Sequence, residues 1–351
     1  MAYTTIDKPD DYFNTVLYTG TGSGGSNRQI TGVGFQPDWV WVKTRGSAQE
    51  HVLSDVVRGA TGSLDSSATT AEEITNTRIG AFISDGFQLG SEAVQNRVNE
   101  NGVGLVAWNW KANGAGVSNT DGTISSTVSA NTTSGFSIVS YTGSGANATV
   151  GTGLGATPAM IIVKDRTSGT ALWCVYHKSL GTNQNIYLNL TNTVDTPSPE
   201  IYRTASMTDN VFAIGSHGRI NTSSNNYIAY CFAEKKGFSK FGSYVGNGSA
   251  DGTFIYTGFK PAFVMFKNTS SALFWQIHDS ARDPFNEVQK RLAPNSSDAE
   301  GSGSIPIDFL SNGIKLRTTA TTWNESGSNF IYMAFAENPL VGTNNIPTTA
   351  R

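Results

Sequence analysis

Two short acidic–basic units carry the clearest chemical potential in this sequence. Asp55-x-x-Arg58 recurs as Asp279-x-x-Arg282, each beginning 18 residues after a proline, Pro37 and Pro261. A carboxylate and a guanidinium at this spacing can pair bidentately and tie a loop to a sheet. An arginine so placed lowers the carboxylate's pKa, the wrong direction for a general acid. The units therefore read as structural pairs. Behind a third proline, Pro158, the corresponding residues are His177 and Leu180.

The other reactive types are scattered. His51 stands where later copies of the same pattern have Trp173 and Trp275, which marks a packing position. His217 lies in a Gly/Ser loop and His278 adjoins the second Asp/Arg unit; no two histidines have metal-ligand spacing with a third ligand. Gly20-x-Gly22-x-x-Gly25 formally matches a dinucleotide fingerprint, but that signal requires a helix opening directly after the glycines. Ser26-Asn-Arg-Gln-Ile30 has no helical period, and the later copies keep only the first two glycines, so these are turn residues. A glycosidase needs two carboxylates facing across a cleft. Glu72 and Glu73 are neighbours whose side chains diverge in an extended segment, and Glu50, Glu92 and Glu325 have no counterparts. We expect no catalytic residue, no cofactor and no metal. Trp323 and Tyr202 lie in polar loops, outside any repeat, and are the candidate ligand contacts: a flat ring beside Asn, Arg or Glu suits stacking on a sugar or gripping a protein loop. The alternative is that both pack against their own module or a neighbouring subunit.

The elements that must position these residues occur three times. Tyr18-Thr-Gly-Thr-Gly22 returns as Tyr141-Thr-Gly-Ser-Gly145 and Tyr244-Val-Gly-Asn-Gly248, at spacings of 123 and 103 residues, far longer than a solenoid repeat. Each is followed by a proline and an apolar run ending in lysine: Pro37 to Lys43, Pro158 to Lys164, Pro261 to Lys267. In Asp38-Trp-Val-Trp-Val-Lys43 the tryptophans point one way and the valines the other. Met160 to Val163 and Phe263 to Phe266 are apolar on both faces and read as strands covered on both sides. Asp85-Gly86 and Asn312-Gly313 mark hairpins, with Asn210-Val211 in the same place in the second copy. A closing aromatic strand ends at Trp110, Phe232 and Phe335. The expected fold is all-β, three tandem antiparallel β-sandwich modules of lectin-like or jelly-roll-like architecture. They span 1–111, 135–234 and 235–337, with a flexible or extended Gly/Ser/Thr/Asn linker at 112–134 and a patternless tail at 338–351. The short junction Glu234 to Ser239 fixes modules two and three against each other. The best short helix is Phe285 to Leu292, after Pro284.

Composition supports this. Charged residues are 15 %, against a usual ~25 %, and Gly, Ser, Thr and Asn fill the difference. The net charge of −3 removes the term that dominates nucleic-acid binding. No 18-residue apolar run and no signal-peptide pattern occur, so we expect a soluble chain without membrane insertion. Cys174 and Cys231 read as two buried free thiols, with a disulfide between them as the alternative.

The opening Met-Ala-Tyr-Thr-Thr-Ile-Asp and Tyr12-Phe-Asn-Thr-Val-Leu-Tyr-Thr-Gly20 resemble the start of virion structural proteins of marine tailed bacteriophages, which infect cyanobacteria and abundant ocean bacteria. So do Gly32 to Lys43, Asp55-Val-Val-Arg-Gly59, Ser84 to Gly90 and Val106-Ala-Trp-Asn-Trp-Lys111. The resemblance is close in the first module and skeletal in the other two. It implies a non-enzymatic tail-fibre or tail-associated protein in the virion, made in the host bacterial cytoplasm, that contacts other virion proteins and a host surface glycan or receptor. The alternatives are a capsid decoration or head-fibre protein and, more remotely, a polysaccharide depolymerase. Fibres and head ornaments are commonly three-fold, so a homotrimer is expected. Both chain termini are expected to be held by neighbouring subunits.

Overall fold

Strands that are apolar on both faces need a layer on each side, and the chain supplies both. The computed structural model describes residues 2–22, 28–91, 96–303 and 305–348 and is nearly all β, with antiparallel pairing throughout its sheets. One four-strand order occurs three times. Module one has Phe13–Thr19, Gly104–Trp110, Trp39–Thr44 and Val52–Asp55. Module two has Phe136–Thr142, Asn226–Phe232, Met160–Asp165 and Cys174–His177. Module three has Ser239–Val245, Asn329–Pro339, Phe259–Asn268 and Gln276–Asp279.

The outer face of each sheet packs on a smaller sheet of two or three strands, giving a sandwich. Val40, Val42, Phe87 and Leu89 fill the first sandwich; Ile161, Val163, Phe212 and Ile214 the second; Val264, Phe266, Ile314 and Leu316 the third. The inner faces of all three sheets meet in one shared core. Trp39, Trp41, Met160, Ile162, Phe263 and Met265 belong to it together, as do the closing residues Trp110, Phe232 and Phe335. Ring contacts cross every boundary: Trp39 stacks on Tyr230 at 4.2 Å between centroids, Phe13 on Phe335 at 5.0 Å, and Phe232 meets Phe335 at 6.0 Å. The three modules are therefore sectors of one ring, not beads on a string, and none has an inner face of its own to expose.

The glycine pairs are held by a residue the repeats conceal. Each module has a one-turn helix before its closing strand, Asn96–Asn99, Gly218–Asn221 and Thr321–Asn324, ending on a buried asparagine. The Oδ1 atoms of Asn99, Asn221 and Asn324 accept from the amides of Thr21, Ser144 and Asn247, and their carbonyls accept from Gly22, Gly145 and Gly248. The second glycine of each pair has φ between 64° and 74°. The first has no positive φ; a Cβ on Gly20, Gly143 or Gly246 would lie 2.0–2.2 Å from a carbonyl oxygen. One glycine serves conformation, the other close approach.

Four expectations change. The segment 112–134 is not a free connector: Val117–Asn119 and Ser126–Asn131 form a hairpin that extends the second sheet past Phe136–Thr142. Its alternating Thr127/Val128/Ser129 pattern buries Val128 in the second sandwich. Phe285 to Leu292 is not helical, because Val288 pairs with Ile307 and Leu292 with Ile277, which draws the segment out along the sheet edge. At Asn210-Val211 the chain does turn, closed by the Thr208 amide on the Val211 carbonyl at 3.0 Å, but the arm before the turn pairs with Val211–Ile214 only through a bridge at Tyr202, and that strand's full partner is Ala148–Gly151. The chain ends also meet each other: Thr343 donates from its amide to Asp7 at 2.6 Å and Tyr3 donates to the Gly258 carbonyl at 2.8 Å. These bonds tie the described part of each end within the chain itself.

Candidate functional site

The Asp/Arg units sit where modules join. At the boundary of modules one and two, Arg58 Nε donates to Asp55 at 2.5 Å and its NH1 to Glu72 at 2.9 Å, while Arg166 grips Glu72 at 2.7 Å. Tyr230, from module two, donates to Asp55 at 2.8 Å. Burial raises the Tyr230 pKa well above its usual value, keeping the hydroxyl protonated as a donor. The boundary of modules three and one repeats the set: Arg282 with Asp279 at 2.6 Å and Glu300 at 3.1 Å, Arg45 with Glu300 at 2.8 Å, and Trp108 Nε1 donating to Asp279 at 2.9 Å. The Asp and Arg side chains of both pairs are fully buried. These carboxylates are saturated by arginine and shut off from solvent, so the arrangement clamps rather than transfers protons.

The third boundary, between modules two and three, has the same backbone and different chemistry. Val194 donates its amide to the Thr269 carbonyl, as Glu72 does to Arg166 and Glu300 to Arg45. Register places His177 with Asp55 and Asp279, and Met333 with Tyr230 and Trp108. Leu180 replaces the arginine. The loss of one partner accompanies the loss of all: Met333 cannot donate to a carboxylate, and there is none to receive.

Three buried lysines complete the cycle. Lys164 donates to the Thr69 carbonyl of module one, Lys267 to Thr191 of module two, and Lys43 to Ser297 of module three, at 2.8, 2.8 and 3.1 Å. Burial pushes each amine down to about 8. All three are fully enclosed, so no substrate reaches them. His51, Trp173 and Trp275 likewise reach the Ala293, Asp65 and Tyr187 carbonyls of the preceding sector, which is why histidine and tryptophan interchange there.

The two sequence-derived ligand candidates fail on burial. Tyr202 has no exposed surface and donates to the Cys174 carbonyl at 3.1 Å. Trp323 is 1 % exposed; its Nε1 donates to His278 Nε2 at 2.9 Å and its carbonyl accepts from Tyr244, as Val98 accepts from Tyr18 and Ile220 from Tyr141. Trp323 therefore occupies a repeated core position whose kinship with valine and isoleucine the sequence hides. Cys174 and Cys231 are free and buried, with burial pushing the Cys174 thiol up to about 12. The third glycine of the fingerprint, Gly25, and Glu92 lie outside the described residues. Among the described residues no group of three metal-ligating side chains converges, and no helix is long and apolar enough to cross a membrane.

What sequence reasoning missed is on the outside of module three. Among the described residues the exposed aromatic side chains are Phe254, Tyr256, Phe274 and Phe285, all in that module. Phe254 and Tyr256 flank the buried Ile255 on an edge strand, where modules one and two place Gln29 and Thr31, or Thr149 and Gly151. Two open grooves border this surface. One, of about 470 Å³, lies between Tyr3 and Tyr256, with Lys236 4.3 Å above the Tyr3 ring. The other, of about 530 Å³, has Phe285 at its mouth. The signal was legible only as a contrast between repeats: polar in two, aromatic in the third.

A family comparison covers residues 8–339, all three sectors together. The chain belongs to the DUF7483 family, a domain of unknown function. Its unit is thus the whole ring, as the shared core requires. Among curated proteins none matches the chain.

Proposed function

We propose that this chain is a non-enzymatic surface protein of a bacteriophage particle, a tail-fibre or tail-associated component that contacts the host envelope. The observation that carries this reading is the division of labour in the ring: three sectors with a common buried frame, and one sector whose outside alone has become aromatic. A frame whose buried charges are consumed in clamping, carrying one differentiated face, is suited to rigid display of a binding surface. The resemblance of the first module to virion proteins of marine tailed phages supplies the setting. Threefold form does not require a homotrimer here, since each inner sheet already faces two others of the same chain.

The test is labelling of intact particles with an antibody to this chain, viewed by electron microscopy, together with binding of the purified chain to host cells. Label on the tail with cell binding is expected. Label spread over the head would replace this reading with capsid decoration, and unlabelled particles would remove the virion assignment.

A further inference from the structure

Single exposed apolar side chains are ordinary on protein surfaces. Phe285 differs because its loop is fastened on both sides while the ring itself is left 79 % exposed. On one side Asp283 Oδ2 accepts from the amides of Gln289 and Lys290 at 2.7 and 2.6 Å. On the other, the Asn286 side chain makes a two-way bond with Phe309, donating to its carbonyl at 3.0 Å and accepting from its amide at 2.9 Å. Beyond it Val288 and Ile307 exchange two backbone bonds. The loop is absent from module one, where the chain after Arg58 runs directly into the strand Gly59–Leu64.

A ring held out into water on a fastened loop buries little of its own surface. It is pre-organised for an occupant, because the entropy of fixing the loop is spent before binding. The groove beside it is lined by the buried Val288 and Phe309, by Lys260 and Glu337, paired at 2.7 Å, by Asp283, which pairs with Lys290 at 3.2 Å, and by Ser311. Its volume of about 530 Å³ lies within the ~300–1,000 Å³ of small-molecule clefts. One flat apolar face beside donors and acceptors of both charges matches a pyranose, which offers C–H groups on one face and hydroxyls around its edge. A lipid would want the polar rim removed, and a charged peptide would meet charges already paired, Lys260 with Glu337 and Asp283 with Lys290.

We propose that the Phe285 groove of module three is a carbohydrate-binding site for a neutral mono- or disaccharide unit, the sugar stacking on Phe285 and hydrogen-bonding to Lys260, Glu337 and Ser311. This deepens the host-envelope reading and rests on it for its biological meaning. The experiment applies the purified full chain, with Phe285→Ala, Glu337→Gln and the control Phe274→Ala, to a printed glycan library, followed by calorimetric titration of the glycans bound. Thermal unfolding and gel filtration accompany each variant. We expect wild type and Phe274→Ala to bind the same glycans, and Phe285→Ala to lose at least tenfold in affinity with an unchanged melting temperature. Glu337→Gln weakens binding less. No glycan bound by wild type, or equal binding by Phe285→Ala, overturns the proposal. So does a dimer in gel filtration that Phe285→Ala dissolves, which would make the groove a self-association surface. If Phe285→Ala still binds host cells as wild type does, the groove fails while the surface-protein reading stands. If particles carry no label yet the glycan is bound through Phe285, the reverse holds.

Discussion

Replacing Arg282 by leucine removes one side chain and leaves a larger fault than its size suggests. Asp279, with no side-chain exposure, loses its 2.6 Å ion pair; Glu300, 10 % exposed, loses a 3.1 Å one; and the Ile277 carbonyl loses one of two donors, at 3.0 Å, keeping the Leu292 amide at 3.1 Å. Breaking a buried ion pair from one side costs about 3–5 kcal/mol, because the remaining charge stays desolvated. At roughly 2 °C per kcal/mol for a large cooperative unit, the melting temperature falls by about 6–10 °C. The boundary of modules two and three shows how the same backbone closes without charges. Arg45→Thr, Asp279→His, Arg282→Leu and Glu300→Val together rewrite the third-to-first boundary in that form, with Trp108 finding an imidazole acceptor as Trp41 does at His51, 2.8 Å away. Exchanging a whole buried network for apolar groups is close to neutral, so the fourfold variant recovers at least half of the single variant's loss. Calorimetry with circular dichroism reads both, as one transition because the core is shared. A fourfold variant melting at or below Arg282→Leu refutes the claim that these residues act as one unit.

Trp323→Ala removes a ring from the third sandwich and costs about 3–5 kcal/mol, while binding to host cells, measured at a temperature where the variant is folded, stays at the wild-type level; a selective loss of binding would return Trp323 to the ligand site. Acid provides the other test. Burial lowers the pKa of His177 to about 4 and of His278 to about 3, and holds His51 well below its usual range. Each has an ordinary value of 6.5 once unfolded. Below pH 6.5 the unfolded chain therefore binds more protons than the folded one, and the histidine contribution, intact above 6.5, is lost as pH falls toward 4. The urea midpoint falls between pH 6.5 and 4.5; a flat profile across that window contradicts the neutral, hydrogen-bonded assignment of these rings.

Period and repetition made the frame legible. Trp39/Trp41 against Val40/Val42, and the two-faced runs at Met160 and Phe263, state that each sheet is covered on both sides, and the structure covers them so. What covers the inner faces was not legible, because a strand's pattern records burial and not the identity of its neighbour. The boundary code was half legible. Arg45 and Arg166 stand two residues after Lys43 and Lys164, and Thr269 two after Lys267, so the break in the third position is visible. Glu72, Val194 and Glu300 are not alignable, since they lie in loops of unequal length. Trp323 misled because its neighbours are polar, whereas its burial comes from Tyr244 and His278, 79 and 45 residues away. Phe285 was read as helix because spacing alone cannot show that Val288 and Leu292 are each taken by a strand.

A homotrimer of a single module would repeat every boundary and every surface three times, since symmetry copies each substitution. Joining three modules in one chain lifts that constraint. Here the release has been used in two places, one boundary and one outer face. The second-to-third boundary lacks the buried Asp/Arg/Glu set, and its sectors are joined through the short run Glu234 to Ser239, whose Glu234 is shared by Lys240 and Lys178 at 2.8 and 2.5 Å. The third-to-first boundary, which has no such connection between its sectors, keeps the full buried set. The first-to-second boundary, crossed by the longer segment 112–134, also keeps its buried set, so the relaxed boundary is the one whose sectors are joined by the shortest run. Outside, among the described residues, module three alone has acquired the exposed rings Phe254, Tyr256 and Phe285; module two fastens its own loop there through Asn183 and Thr204 but carries no ring on it. Tyr256 bonds Tyr3 and Phe254 lies over Gly313, so those two rings are used within the fold; Phe285, 79 % exposed, has no such use. The glycan contact proposed for that ring would supply one.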